Sequence, residues 1–246
     1  MYLNCHTYYS LRYGPYSEEA QLSMARENGN TRLARTDINN TSAGLNFVRR
    51  ASEFNIHPLL GIDFRNGTSC CFVAIARNNE GYLELNRFLS HHLHGKRPFP
   101  ERAPAFSNAY VIYPFEKVLL EEIKTFAPHE FIGISLRDLR RLPFSRLMEY
   151  REKLVVLQPV TFRNKRDFNA HRLLRAIDNN VLLSKLPETE QASPEDCMYP
   201  LENLAAAFSD FSFILENTER LMQACEIRFY FSSQRRPQNH QTYTGS

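Results

Sequence analysis

The chain has 246 residues, 43% of them apolar, enough for one large core or two modest ones, and an α/β barrel of this length commonly counts as one domain. With 30 Lys and Arg against 27 Asp and Glu, the net charge of +3 gives little reason to expect a polyanionic partner. No run approaches the ~18 apolar residues of a membrane span, Met1-Tyr2-Leu3-Asn4 lacks a charged start, and five cysteines without CxxC spacing suit reduced thiols, so we expect a cytosolic chain with no disulfide and no membrane partner.

In chain order, Tyr2 to His6 alternates like a short strand, and a Tyr-rich loop follows through Tyr13-Gly14-Pro15. A helix is predicted from Ser17, its cap, to Asn28, with Glu18 and Glu19 at the positive end of the dipole and Gly29 just past the last turn. Thr31 to Phe64 reads as one βαβ unit. It holds a strand Arg32–Asp37, a polar turn Ile38–Thr41, a helix capped by Thr41 or Ser42 with Phe47, Val48, Ala51 and Phe54 inward, and an apolar strand Leu59–Asp63. Asn55 ends the helix with a residue tolerant of left-handed geometry. Asn66-Gly67 signals a reversal, so Cys70–Ala76 returns beside Leu59–Asp63.

Asn79 opens a helix with Tyr82, Leu85, Phe88 and Leu89 inward, and the Pro-rich stretch His91 to Ser107 is a loop long enough to be functional or disordered. Ala109–Tyr113, Phe131–Ile134 and Leu154–Gln158 are three further strands, with helices Glu116–Phe126 and Leu136–Tyr150 between them. Asn164–Asp178 is a helix with Phe168, His171, Leu174 and Ile177 near one face, Pro200–Phe208 and Ser212–Ala224 are two more, and Ser232–Ser246 is polar and unpatterned. Seven strands mostly alternating with helices imply a parallel α/β architecture, in which ligands collect at the carboxyl ends of strands. Asp37 and Asp63 both sit at such ends.

TRLARTDINN and PLLGIDFRNG, preceded by LNCHTYYSLRYG and followed by FVAIARNNEGYLELNRFLS, resemble in that order the PHP (polymerase and histidinol phosphatase) domain, in the form that begins the bacterial replicative DNA polymerase III alpha subunit. The resemblance is weak from about His94 to Leu154 and returns at FNAHRLLRAIDNN and MYPLENLAAAFSDFSFILENTERLMQAC. It implies a distorted seven-stranded (βα) PHP barrel with additional C-terminal helices over residues 1–225, and an extended tail over 226–246 leading toward a polymerase palm whose carboxylates are not recognisable here. It further implies, as partners, the remainder of the alpha subunit, replisome subunits and, through the full polymerase, DNA.

An active PHP domain gathers His, Asp and Glu at several strand ends around two or three metal ions, which activate water and clamp a phosphoryl group. At those positions this sequence departs from the pattern. The first-strand HxH reads Asn4-Cys5-His6, the Asp usual before Gly14 is Tyr13, and the TDH motif reads Thr36-Asp37-Ile38. The acid after Gly61 is kept as Asp63, and the fourth-strand His corresponds to Cys71 or, equally well, Cys70. The closing Asp-x-His falls in Gln158-Pro159-Val160-Thr161-Phe162-Arg163, which has neither acid nor imidazole and leaves Pro159 and Thr161 in the ligand positions. An amide is a poor zinc or manganese ligand beside neutral histidine. The resemblance therefore leaves His6, Asp63 and Cys71 as vestigial metal candidates and Asn4, Tyr13, Asp37, Ile38, Pro159 and Thr161 as degenerate positions. It implies no cofactor, with zinc, manganese or magnesium entering only if the site is active after all. The alternative is a metal-dependent phosphoesterase or 3′-5′ proofreading exonuclease working through His6, Asp37, Asp63 and Cys71.

Each candidate has a plainer reading. His6 can be a buried, hydrogen-bonded histidine, Asp63 can accept backbone hydrogen bonds at its strand end, and Asp37 can organise the Ile38–Thr41 turn. His91, His92 and His94 suit a solvated helix end better than a surface metal, and Cys70-Cys71 suits packing better than nucleophilic catalysis. Arg137, Arg140, Arg141, Arg146, Arg151 and Lys153, then Arg163, Lys165, Arg166, Arg172 and Arg175, either line a salt-sensitive phosphate-binding face or are neutralised by Asp138, Glu149, Glu152 and Asp167.

Overall fold

In the computed structural model, which describes residues 1–120 and 123–231, eight short strands curl around a core filled from both faces of the sheet. They are β1 (Asn4–Cys5), β2 (Arg32–Arg35), β3 (His57–Asn66), β4 (Ser69–Ala76), β5 (Ala109–Pro114), β6 (Glu130–Ile134), β7 (Leu154–Val156) and β8 (Pro159–Val160). β3 and β4 read as near-continuous apolar runs because neither face meets water: Leu59, Leu60, Ile62, Phe64, Phe72, Val73, Ala74 and Ile75 are all buried. Gly67, at φ +61, takes the left-handed corner between them, where a side chain would be strained.

Six strands form one sheet in the order β2-β3-β4-β5-β6-β7, parallel except for the antiparallel β3-β4-β5 section. β1 and β8 form a separate parallel pair. β1 also hydrogen-bonds toward β2, through Ala34 N–H to Tyr2 O and Thr36 N–H to Cys5 O, both 3.1 Å, so the pair brings the two edges of the curled sheet together. The expected seven-stranded barrel is thus a curled six-stranded sheet completed by a two-stranded pair. The strand expected over Leu154–Gln158 stops at Val156, and Pro159, which has no N–H to offer a ladder, begins β8 instead.

The helices follow their local signals closely where caps were readable. α1 (Glu18–Glu27) starts at Ser17, whose hydroxyl accepts from Ala20 N–H at 3.2 Å. α2 (Gly44–Ala51) is capped by neither Thr41 nor Ser42: Ala43 is its N-cap, Thr41 Oγ1 bonds Asn86, and the polar turn is closed by Asn40 Oδ1 accepting from Ser42 N–H. Asn55 is left-handed at φ 56, closing the short 3-10 turn that prolongs α2. α3 (Asn79–His94) begins after an Asn78 cap, and α4 (Phe115–Leu120) is shorter than the Glu116–Phe126 helix expected, of which residues 121 and 122 lie outside the described residues.

Leu136–Tyr150 is not an α-helix. Pro143 removes a donor, and the segment breaks into 3-10 turns at Leu142–Phe144 and Arg146–Lys153, the second kinked at Tyr150. In α5 (Lys165–Asp178) a stride of three residues drifts about 60° per step, so Ile177 is exposed while Asp167, His171 and Arg175, spaced by four, face inward. α6 (Leu201–Ala207) and α7 (Ser212–Gln223) complete the fold. α7 covers β7: Thr218 Oγ1 accepts from Val156 N–H at 2.8 Å and Asn217 Nδ2 donates to Leu154 O at 2.9 Å. The expected tail Ser232–Ser246 lies outside the described residues.

Candidate metal centre at the barrel mouth

The carboxyl ends of β1 and β2 lie beside Asp63 of β3, which Ile38 bridges in parallel and which falls inside that strand because β3 runs on to Asn66 rather than ending at Asp63 as expected, and this juxtaposition assembles the site. His6, immediately after β1, is completely buried. Its Nε2 lies 2.9 Å from Asp63 Oδ2 and its Nδ1 lies 3.0 Å from Thr161 Oγ1. An ionised carboxylate can only accept, so Nε2 carries the hydrogen. Asp63 Oδ2 also accepts from Arg65 Nε at 3.0 Å and Nη2 at 2.7 Å, while Arg65 Nη1 donates to Tyr13 Oη at 3.1 Å. Asp63 therefore serves side chains, not the backbone donors expected of it. Burial pushes the Asp63 carboxyl up, but Arg65 and the His6 hydrogen bond outweigh it and hold the group well below the usual carboxylate range.

Asp37 is occupied in the same manner. Its Oδ1 accepts from Thr7 N–H at 2.7 Å and Ser10 Oγ at 2.8 Å, and its Oδ2 accepts from Arg35 Nε at 2.8 Å. Arg35 Nη2 reaches Thr7 Oγ1 at 2.6 Å, and Nη1 lies 3.4 Å from Glu18. Asp37 thus ties down the loop after β1 rather than the Ile38–Thr41 turn. Ile38 N–H donates to Ser10 Oγ at 2.9 Å, and its side chain packs beside Tyr13 and Phe162.

A cleft of about 410 Å³ opens above this floor, lined by Asn4, Tyr13, Arg65, Cys70, Pro159 and Asp196 among others. Successive strand residues face opposite sides, and it is Cys70 that reaches the cleft. Cys71 is fully buried with its Sγ accepting from Asn66 Nδ2 at 3.4 Å, apart from His6 and Asp63. Burial raises both thiols, and all five cysteines are free. Under Tyr13 sits His171, whose Nδ1–H donates to Tyr13 O at 2.8 Å and whose Nε2 accepts from Ala192 N–H at 3.0 Å, which fixes the neutral tautomer. Burial lowers its pKa to about 4.

These residues do not fit the divalent ions an active PHP centre holds. His6 has both nitrogens engaged, both Asp37 oxygens are taken, and Asp63 Oδ2 already receives three donors. Asp63 Oδ1 alone of these is buried without a hydrogen-bond partner. A guanidinium 2.7 Å from the same carboxylate repels a second cation. Among the described residues no group of three or more His, Cys, Asp or Glu side chains is placed to hold a metal ion. The HHxH run does not gather either: His91 and His94 are exposed, and His92 packs on Phe88 and Phe99 with its Nδ1 2.9 Å from Pro98 O.

Arg35 and Arg65 escaped the sequence reading, although the signal was present. Each stands two residues from its aspartate in extended sequence, Arg65 with Asp63 inside β3 and Arg35 at the end of β2 with Asp37 just past it, and a period of two puts each pair on one face. Among the described residues, four of the eleven in the basic clusters form ion pairs, chiefly with acids other than those expected: Arg137 with Asp196, Arg141 with Glu116, Arg175 with Asp178 and Glu190, and Arg163 with Asp167 as anticipated. Asp138 instead accepts from Ser135.

The chain belongs to the PHP-domain family, whose model matches residues 3–126, half of the chain. It is similar to the DNA polymerase III subunit alpha of Ureaplasma parvum, 24% identical over 232 residues, which cover 93% of this chain and 21% of that protein. The corresponding subunits of Neisseria meningitidis, 24% identical over 264 residues, and Escherichia coli K12, 22% over 278, each align with 92% of this chain and contribute 23% of their own length. The chain thus spans between a fifth and a quarter of these curated relatives. Among the described residues no helix is long and apolar enough to cross a membrane.

Proposed function

We propose that this chain is the amino-terminal PHP domain of a bacterial replicative DNA polymerase III alpha subunit, and that it supports the polymerase body as a structural module without hydrolysing phosphoesters. The alignment with alpha subunits over nine-tenths of the chain supports the first part. One observation carries the second: the two carboxylates that would ligate metal, Asp37 just past β2 and Asp63 within β3, are each engaged by a buried arginine. A guanidinium beside each carboxylate disfavours the entry of a divalent ion, and of their four oxygens only Asp63 Oδ1 lacks a hydrogen bond. On this reading the partners are the remainder of the alpha subunit, other replisome subunits and DNA held by the complete polymerase, and the domain requires neither zinc, manganese nor magnesium.

The test incubates purified protein with manganese or zinc and a 3′-labelled primer, with metal content measured by mass spectrometry in parallel. We expect no nucleotide release and substoichiometric metal. Release that Asp63→Ala abolishes overturns the structural reading in favour of a nuclease.

A further inference from the structure

We propose that Arg65 and Arg35 are built-in counter-cations that have taken over the charge role of divalent ions at the barrel mouth, one at Asp63 and His6, the other at Asp37, so that the site holds together without metal. The inference deepens the structural-module reading and rests on it.

The two arginines repeat one design. Arg65 gives two N–H groups to Asp63 Oδ2, at 3.0 and 2.7 Å, and a third to the Tyr13 hydroxyl at 3.1 Å. Arg35 lies 2.8 and 2.7 Å from Asp37 Oδ2 through Nε and Nη2, and its Nη2 also reaches Thr7 Oγ1 at 2.6 Å. Side chains of Arg35 and Arg65 are 3% and 9% exposed, low enough that an uncompensated charge is untenable. Aromatic rings complete each shell: Arg65 lies 5.0 Å from the Tyr13 ring centroid, and Arg35 5.2 Å from Tyr9 and 5.5 Å from Phe47. Two buried carboxylates, one just past β2 and one within the adjacent β3, demand positive charge, which an active family member supplies with metal and this chain supplies covalently.

A counter-cation differs from an ordinary structural ion pair in what its removal leaves behind. Taking the charge from Arg65 leaves the buried Asp63 carboxylate, whose Oδ1 has no hydrogen-bond partner, with only His6 Nε2 beside it and no cation to balance it. The missing charge then becomes replaceable from solution.

The experiment follows thermal unfolding of the full chain in EDTA and in millimolar manganese or zinc. The wild type melts at the same temperature in all three. Arg65→Met keeps most of the apolar stem and loses the charge; it melts about 10 °C lower in EDTA and regains most of that loss with metal. Adding Asp63→Asn to Arg65→Met restores stability without metal, because the buried pair is removed together. Should Arg65→Met not fold, Arg65→Lys serves instead: it retains a point charge without the fork, melts between wild type and the EDTA value of an unpaired site, and does not respond to metal. A loss that metal leaves untouched, additive effects in the double variant, or a wild type stabilised by metal overturns the proposal. Additivity in an otherwise inactive protein removes only the counter-cation role, whereas nucleotide release by the wild type removes the structural-module reading.

Discussion

His171 shows how much of this site rests on protonation. The ring donates at Nδ1 to Tyr13 O and accepts at Nε2 from Ala192 N–H, so a second proton would destroy one of two buried bonds. With the folded pKa lowered by burial to about 4, the unfolded chain takes up its proton first as pH falls below about 6.5. Stability is therefore fully present above that value and is lost progressively down to about 4. Between pH 7 and 5 the wild type should lose about 2 kcal/mol through this residue alone. Urea unfolding at the two pH values checks it: His171→Gln, although less stable at pH 7, has the flatter dependence, and an equal slope in both proteins excludes the residue as the cause. From the sequence His171 was no more than one apolar-face residue of a helix, because its partners lie 158 and 21 residues away in the chain. His6, Asp37 and Asp63 were readable because a family pattern points to them. Arg35 and Arg65 were not, because a search for metal ligands passes over cations even at i and i+2.

Elements were readable wherever their punctuation is local. Ser17 caps α1 as its side chain dictates, and Ser17→Ala should cost about 1 kcal/mol, measured by denaturant midpoint. Asn55 and Gly67 take left-handed conformations as their residue types allow. The misses lie where tertiary contacts decide. Nothing in Leu154–Gln158 announces that the strand ends at Val156, a boundary set by Pro159 and by α7 laid across β7. The Thr218 hydroxyl there accepts from Val156 N–H and donates to Ile214 O at 2.6 Å. Thr218→Val keeps the shape and strands a buried backbone donor, so it should destabilise the protein by about 1 to 3 kcal/mol. Native-state hydrogen exchange checks the mechanism: Val156 should lose protection more than residues of β3 and β4 do.

At the scale of the molecule, the parallel α/β class followed from strands alternating with helices, and β1 lies within the strand read at Tyr2–His6, while β8 and its pairing with β1 did not follow, since a two-residue strand carries no periodicity. If the domain braces a polymerase, weakening its charged floor should be felt at a distance. In the complete alpha subunit, Arg65→Met should leave DNA synthesis near normal at low temperature and shorten its half-life on warming, with the KM for nucleotide unchanged. A change in KM at permissive temperature would assign the domain a direct part in synthesis instead.

The β1–β8 pairing joins Asn4 to Pro159 and Cys5 to Val160. Synthesis delivers β2, which meets β1 through Ala34 and Thr36, roughly 30 residues after it, but β8 only about 150 residues after it, an interval of about 8 to 30 s at ordinary elongation rates. Until then Tyr2, Leu3 and Cys5, all fully buried in the finished fold, have no completed shelter. The β8 side of β1 accordingly stays open to holding chaperones for most of the time it takes to make these residues.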